Sequence, residues 1–186
     1  PRSEYGGLDN NDNSGALEYV RIEFSGVEYA TDNEINGLTL GGVGSATILR
    51  HIQVSYCGDD SYEFFGGTVN AKYLVAFRGW DDEFDTDNGF SGKLQFLVGL
   101  RDPNVADKSK SNGFESDNDA SGSSNAPFTS PIFSNVSLFG PYTTLSNVVE
   151  PQGGNGDFQA AMHLRRNTKL KVYNSVFAGW PNGLFI

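Results

Sequence analysis

Hydrophobic and polar residues alternate in short segments that recur along the whole chain. An apolar residue followed two positions later by glycine marks five of these segments, and Leu100, followed by Asp102, marks a sixth. The five apolar positions are Phe24, Tyr56, Phe77, Leu138 and Phe177. The shortest spacings between markers are 21 and 23 residues, and longer spacings add residues only between the alternating segments. Such a repeat is typical of a solenoid in which each repeat forms one coil of a parallel β-helix.

Strict alternation predicts which side chains of the first strand in each coil point into the core. We expect these inward residues to be Val20, Ile22 and Phe24, then Ile52, Val54 and Tyr56, then Tyr73, Val75 and Phe77, then Phe96, Val98 and Leu100. A second apolar anchor follows in each coil, at Leu38, Phe64, Phe84, Phe114, Met162 and Leu184. Apart from the last, these anchors are predicted to form one inward column on a second strand. The facing wall is predicted to contain Val20, Val54, Val75 and Val98.

The predicted fold is an all-β, right-handed parallel β-helix of about six coils, in one domain that spans residues 1–186. Glycine (23 residues) and aromatic residues (13%) are plentiful, and no long window has helical periodicity. A single cysteine, Cys57, leaves no disulfide framework, and no apolar run approaches the length of a membrane span. Because residues 184–186 read as part of a strand and a solenoid needs polar caps, we expect further coils beyond both ends.

The net charge of −10 and the pI near 4.5 indicate which partners the chain avoids. Nucleic acids and anionic membrane surfaces both require basic patches, so neither is an expected partner. Many of the acidic residues fall between Asp59 and Asp119. Such a concentration is either a solvated acidic face or a cation site.

Two acidic segments, residues 84–88 and 114–118, share the order apolar, acid, small, acid, amide. On a β-strand this order buries the first and third side chains and projects both acids to the opposite face. Stacked on neighbouring strands, four acids would form a small rectangle: Asp85, Asp87, Glu115 and Asp117. Carboxylates this close repel unless a cation or a shared proton relieves them. The four acids are therefore predicted metal ligands, and calcium, which prefers oxygen ligands, is the candidate ion.

Aligning the second strands by their anchors predicts two outward columns. One column reads Thr39, Phe65, Asp85, Glu115, His163 and Phe185, and the next reads Gly41, Gly67, Asp87, Asp117 and Arg165. His163 and Arg165 are then expected one rung beyond the acids, with Arg165 beside Asp117. The longest insertions follow Leu100, Asp117 and Leu138, and they are candidates to wall a cleft around this patch.

Four segments of the chain resemble a known group of proteins. They are Gly-Leu-Thr-Leu-Gly-Gly at 37–42, Asp-Asp-Ser-Tyr-Glu-Phe-Phe-Gly-Gly-Thr at 59–68, Phe-Asp-Thr-Asp-Asn-Gly-Phe at 84–90 and His-Leu-Arg-Arg-Asn-Thr at 163–168. They are similar to an uncharacterised family of secreted or surface-anchored Bacteroidetes proteins, and the similarity covers essentially the whole chain. More distantly, the architecture resembles the pectin-lyase-like superfamily of right-handed parallel β-helices. The resemblance implies an exported protein, extracellular or at the cell surface, that acts on or binds polysaccharide.

The superfamily resemblance implies two chemistries. In its lyases, calcium held by carboxylates neutralises a uronate while an arginine removes a proton, and Arg165 would be that base. In its polygalacturonases, paired aspartates act as acid and base across a water. Here Asp85 and Asp117 are expected roughly 8 Å apart, within the range for inverting hydrolysis. The candidate catalytic residues are Asp85, Asp117, His163 and Arg165.

Two non-catalytic functions stay open beside these chemistries. Phe65 and Trp80 offer flat rings that can stack on sugars, and Arg165 and Arg166 offer charge for a uronate or sulfate group. These four residues are the candidate polysaccharide-binding residues. The other function is a structural or adhesive surface scaffold, in which a cation in the acidic rectangle staples neighbouring coils together.

Overall fold

The computed structural model describes residues 4–30, 34–144 and 156–186, and within these ranges the chain forms twelve strands and no helix. The strands are β1 (Ala16–Glu23), β2 (Leu38–Gly41), β3 (Ile48–Ser55), β4 (Tyr62–Phe65), β5 (Asn70–Phe77), β6 (Phe84–Asp87), β7 (Lys93–Leu100), β8 (Ser111–Ser116), β9 (Ile132–Phe139), β10 (Phe158–Leu164), β11 (Lys171–Tyr173) and β12 (Val176–Ala178). Among the described segments, none is a helix with the length and hydropathy needed to cross a membrane.

The strands form two parallel sheets that the chain visits in turn. The first sheet has the order β1-β3-β5-β7-β9-β11, with β12 also paired to β9, and the second has the order β2-β4-β6-β8-β10. Each odd strand and the following even strand therefore make one coil, giving five complete coils. Strands β11 and β12, with parallel bridges from Ala160 to Asn182 and from His163 to Phe185, begin a sixth. The predicted right-handed parallel β-helix is confirmed.

Each long strand of the first sheet contains one residue in the left-handed conformation, always at the same position. These residues are Tyr19, His51, Tyr73, Phe96 and Asn135, with φ between 55° and 63°. We call this position the bulge: the inward–outward alternation reverses after it, while neighbouring strands stay in register because all of them share it. In β3, for example, Leu49, Ile52 and Val54 all face the core, with a spacing of three and then two. The same spacing recurs in β7 at Leu94, Leu97 and Gly99.

This bulge overturns part of the predicted inward set. Val20 and Ile22 are in register with the buried Ile52 and Val54, as expected. The predicted inward residues of β5 and β7 instead face outward: Tyr73, Val75, Phe77, Phe96, Val98 and Leu100. Phe24 and Tyr56, just beyond β1 and β3, are also exposed rather than buried. The predicted wall of Val20, Val54, Val75 and Val98 is wrong, because these residues lie in different columns and on both faces.

The second sheet confirms the central stacking and corrects one coil. Phe84 pairs in register with Phe114, and the inward column reads Leu38, Tyr62, Phe84, Phe114 and Met162. The anchor of the second coil is therefore Tyr62, whereas Phe64 pairs with Leu40 and Thr86. The physical reason is the turn that follows. Segments 60–67 and 82–89 align without a gap, and both continue through a left-handed residue, Gly66 (φ 66°) or Asn88 (φ 53°).

Stacked rings and one ion pair fill the core around the second sheet. The rings of Tyr62 and Phe84 lie 5.2 Å apart, and those of Phe84 and Phe114 lie 5.8 Å apart. Glu83 and Arg101 form a salt bridge of 3.2 Å, and both side chains are fully buried. Each charge is stable in the core only because the other compensates it. The pair therefore holds together the turns after β7 and before β6, between the first and second sheets.

Candidate functional site

The outer face of the second sheet carries an acidic column. Because Tyr62 rather than Phe64 is the inward anchor, the outward residue of β4 is Glu63, which pairs in register with Asp85. Asp85 in turn pairs with Glu115, and Glu115 with His163. The column therefore reads Thr39, Glu63, Asp85, Glu115, His163 and Phe185. Phe65, predicted for this column, lies in the next one, between Gly41 and Asp87, where Gly67 was expected.

Further acids come from the turns that precede β4 and β6. Asp59 and Asp60 belong to the first of these turns and Asp81 to the second. Together with Glu63 and Asp85 they form what we call the acidic cluster: Asp59, Asp60, Glu63, Asp81 and Asp85. All but Asp85 line a cleft whose other walls include Phe65, Trp80 and residues 106–109. The insertion after Leu100 thus does wall a cleft, although this cleft lies nearer the N-terminal coils than predicted.

The acidic cluster contains two triads of carboxylates that share Asp60. In one triad, Asp59, Asp60 and Asp81 bring one oxygen each to within 4.8 Å of one another. In the other, Asp60, Glu63 and Asp85 do the same. Asp60 is only 8% exposed. Among the described residues, Oδ1 of Asp81 and Oδ1 of Asp85 are buried without a hydrogen-bond partner. Such oxygens are suited to share a proton or to bind a cation.

Burial and mutual repulsion raise the pKa values of these acids. Burial is the larger cause, and it raises the pKa of Glu63 to about 8, with a further contribution from Asp59. The pKa values of Asp59 and Asp81 rise to about 6 for the same reasons. Burial, followed by repulsion from neighbouring acids, also raises the pKa values of Asp60 and Asp85. A cation in the cluster would remove the cost of ionising these groups together.

The other end of the acidic column is neutralised by basic residues. The Nε of Arg165 donates to Asp117 Oδ1 at 3.0 Å, and its Nη2 donates to Glu115. Arg166 also contacts Asp117, because its Nη1 donates to Asp117 Oδ2 at 2.8 Å. His163 Nδ1 lies 3.0 Å from Glu115 Oε2. Arg165 therefore lies beside Asp117, as predicted. Glu115 and Asp117, both predicted metal ligands, already have cationic partners.

Comparison with known proteins places this geometry in a family. Residues 2–186 match the family described as the pectate-lyase like beta helix domain. The chain belongs to this family. No curated protein and no solved structure matches the chain significantly.

Within this pectate-lyase-like β-helix, the donor set of the acidic cluster fits a hard cation. All the candidate ligand atoms are carboxylate oxygens, which calcium prefers. The fit is better at Asp60, Glu63 and Asp85 than at the four predicted ligands, since Glu115 and Asp117 pair with arginines. Of those four, Asp85 belongs to a triad, whereas Asp87 does not.

In this pectate-lyase-like β-helix, the surroundings of Arg165 oppose its predicted role as the base that removes a proton from the sugar. Burial by itself lowers the pKa of Arg165, but the charges of Glu115 and Asp117 outweigh burial, so this pKa is raised. A guanidinium with a raised pKa is a poor base. Burial and the charge of Arg165 lower the pKa of His163.

Sequence reasoning missed Glu63, Asp59, Asp60 and Asp81 as members of the site. The signal was present in segment 60–67, which repeats the order of segment 82–89 with an acid at the same fourth position. The insertion after Leu138, a predicted wall of the cleft, falls largely on residues 145–155, which lie outside the described part of the chain.

Proposed function

We propose that this domain binds polysaccharide outside the cell or at the cell surface, through a divalent cation held by the acidic cluster. Calcium is the proposed ion and a uronate-containing polysaccharide the proposed ligand. The observation that carries the proposal is the pair of carboxylate triads sharing Asp60 at the wall of an open cleft. The orphaned Oδ1 of Asp85 adds an oxygen that a cation would satisfy.

The cation explains how an acidic protein would bind an acidic sugar chain. With a net charge of −10, the acidic face repels uronates on its own. A divalent cation shared by Asp60 and its neighbours offsets most of the negative charge of a triad, and the cation can bind a uronate carboxylate directly. Because calcium takes six to eight oxygen ligands, three carboxylates leave positions for sugar oxygens. Binding of the polysaccharide is then expected to depend on calcium.

Other residues near the cluster would position the sugar chain. Trp80 lines the cleft and is 39% exposed, so its ring is available to stack on a sugar. Phe65 lies in the same cleft. Arg165 and Arg166, at 31% and 41% side-chain exposure, lie at the far end of the acidic column. Arginine is well suited to bind a uronate carboxylate.

A second candidate function is a surface scaffold in which the cation staples coils together. It is favoured by the origin of the ligands. Asp60 and Glu63 belong to the second coil, and Asp81 and Asp85 belong to the third. A cation bound by either triad would therefore cross-link two coils and stabilise their stacking. Stabilisation by calcium without any polysaccharide binding would favour this second function.

Catalysis is a third proposal, and it requires turnover of the polysaccharide in addition to binding. If the domain is an enzyme, it is a polysaccharide lyase or a glycoside hydrolase, and Asp85, Asp117, His163 and Arg165 stay its predicted catalytic residues. The ion pairs of Arg165 and Asp117 argue for binding rather than turnover. Loss of turnover in Asp117→Asn, with an unchanged melting temperature, would support catalysis.

The test is a binding screen by calorimetry with soluble polysaccharides. Polygalacturonate represents the acidic class and a neutral glucan the other, each measured with calcium and with chelator. We expect polygalacturonate to bind only with calcium. Asp60→Asn should abolish this binding, whereas Asp12→Asn, an exposed acid outside the acidic cluster, should retain it. Failure of wild-type protein to bind any polysaccharide with calcium present would contradict the proposal.

A further inference from the structure

The outer face of the first sheet is apolar in a way that the sequence did not predict. The bulge turns rings outward at one position in successive coils, and a stack runs through Tyr19, His51, Tyr73 and Phe96. Neighbouring centroids lie 4.5, 4.6 and 5.2 Å apart, with interplanar angles of 6°, 18° and 9°. Aliphatic side chains continue the surface beside the stack. We call this surface the aromatic face and define it by Tyr19, Tyr73, Phe96, Val98, Leu100 and Phe139.

The aromatic face is comparable in size to the largest apolar patches of monomeric proteins, which often mark interaction sites. Its six residues are each between 40% and 76% exposed. At roughly 150–250 Å² for a whole aromatic side chain, they present on the order of 500 Å² of apolar surface. A standard protein interface buries ~800 Å² per partner, of which about 60% is apolar. The aromatic face therefore supplies the apolar area that one side of a stable interface requires.

The arrangement of the rings selects a protein partner rather than a sugar chain. Tyr73 lies between the rings of His51 and Phe96, so both of its ring faces are covered and only edges point outward. Sugars stack on ring faces. Ring edges beside Val98 and Leu100 instead form a surface suited to pack against other apolar side chains.

The charges select a second copy of this chain as that partner. The strands of the first sheet carry five basic residues, Arg21, Arg50, Lys72, Lys93 and Lys171, and two acids, Glu18 and Glu23. The strands of the second sheet carry four acids and no lysine or arginine. Two copies joined through their first sheets would direct their acidic faces away from each other. Any pairing through the second sheets would bring those acids together.

The charges along the aromatic face differ between its two ends. Both glutamates lie on β1, where they form ion pairs with Arg21 and Arg50, whereas Lys93 and Lys171 lie on β7 and β11, toward the other end of the stack. Lys72, Lys93 and Lys171 form no ion pair with the described residues. A two-fold axis through Tyr73 and Phe96 would place β1 of one copy, with its ion-paired glutamates, opposite β11 of the other, with its unpaired Lys171. The rings would form the apolar centre and the charges the rim.

We propose that the aromatic face joins two copies of this domain back to back, in antiparallel orientation. The resulting dimer presents two acidic clefts on opposite sides. If the clefts bind a repetitive polymer, the dimer can engage two chains or two segments at once, and its avidity exceeds that of one cleft. The pairing itself does not depend on the proposed polysaccharide function.

Sedimentation equilibrium of the whole domain in chelator, up to about 100 µM, tests the proposal. Wild-type protein should form a dimer. Val98→Glu places two like charges near the two-fold axis and should weaken dimerisation by about tenfold or more. Val27→Glu is the matched control, because Val27 is 67% exposed outside this face, and it should still dimerise. Melting temperatures of both variants establish that they fold.

An independent readout uses the expected two-fold axis. Because packed sheets lie about 10 Å apart, too far for a disulfide, two copies of Phe96→Cys should instead be joined by a short bifunctional maleimide cross-linker, and Cys57, the cysteine already present, is buried. A wild-type protein that stays monomeric at the highest concentration would overturn the proposal. Dimerisation that survives Val98→Glu unchanged would overturn it as well, because another surface would then be responsible. A covalent dimer of Phe96→Cys together with loss of dimer in Val98→Glu would support it.

Discussion

Asp85 and Glu115 lie directly opposite each other on β6 and β8, but of the two only Glu115 has a cationic partner, Arg165, among the described residues. Arg165 and His163 approach Glu115 from the next coil, while Oδ1 of Asp85 is buried with no hydrogen-bond partner among the described residues. The acidic column is therefore neutralised at one end and uncompensated at the other. The uncompensated end contains the two carboxylate triads, and it is there that a cation is expected.

The raised pKa values predict how stability depends on pH in the absence of a cation. The pKa of Glu63 rises from 4.5 to about 8 and that of Glu115 to about 7, both chiefly through burial. The native state therefore binds more protons than the unfolded state between about pH 4.5 and pH 8. Their stabilising contribution is complete below about pH 4.5 and is lost as the pH rises through 7 and 8. In chelator, the melting temperature should fall between pH 5 and pH 8.

A variant checks that prediction. Glu63→Gln keeps the size of the side chain and removes its charge, so its melting temperature should fall less between pH 5 and pH 8 than that of the wild type. Glu18→Gln, at an exposed ion pair with Arg50, should retain the wild-type profile. A wild-type melting temperature that rises over this pH range in chelator would contradict the assigned pKa shifts.

The buried ion pair of Glu83 and Arg101 predicts a large change in stability. Arg101→Met leaves Glu83 buried without its partner and should cost about 3–5 kcal/mol in the free energy of unfolding. The double variant Glu83→Gln, Arg101→Met should recover much of this loss, because no isolated charge stays buried. Denaturant titration with a double-mutant cycle measures both effects. Equal losses in the single and double variants would show that packing, and not charge, is responsible.

Arg165 is expected to contribute specifically to polysaccharide binding. With calcium present, Arg165→Ala should weaken binding of polygalacturonate by about tenfold or more, since it removes a charge-assisted contact. Arg50→Ala, an exposed arginine on the first sheet, should change binding little. Equal losses in the two variants would indicate diffuse electrostatics, and no loss in either would favour the scaffold function.

The sequence predicted the repeat and the acidic stack because both depend on residue types at fixed spacings. Phe84 above Phe114 follows from two segments that share one pattern, and Arg165 beside Asp117 follows from aligning Met162 with Phe114. The bulge was not predicted because its left-handed residue differs in type from coil to coil, as at His51 and Phe96. A left-handed backbone conformation at these residues has no side-chain signature. The inward spacing of three and then two was its only trace.

Glu63 was not predicted as a site residue for a different reason. The register of the second coil was set from Phe64, one of three neighbouring apolar or aromatic residues that fit the pattern equally well. Only the turn after the strand decides between them, since Gly66 occupies the position of Asn88 in the next coil. Taking Phe64 instead of Tyr62 as the anchor shifted the predicted register by two residues. For this reason the predicted cation site included Asp87 and Asp117, whereas the structure favours Asp60 and Glu63.

Calorimetric titration with calcium tests the central claim most directly. Wild-type protein at neutral pH should bind calcium with release of protons, because the pKa values of Asp59, Glu63 and Asp81 are raised. Asp60→Asn removes the ligand shared by both triads and should abolish binding, whereas Asp12→Asn should leave it intact. Undetectable calcium binding by the wild type, or unchanged binding by Asp60→Asn, would contradict the account.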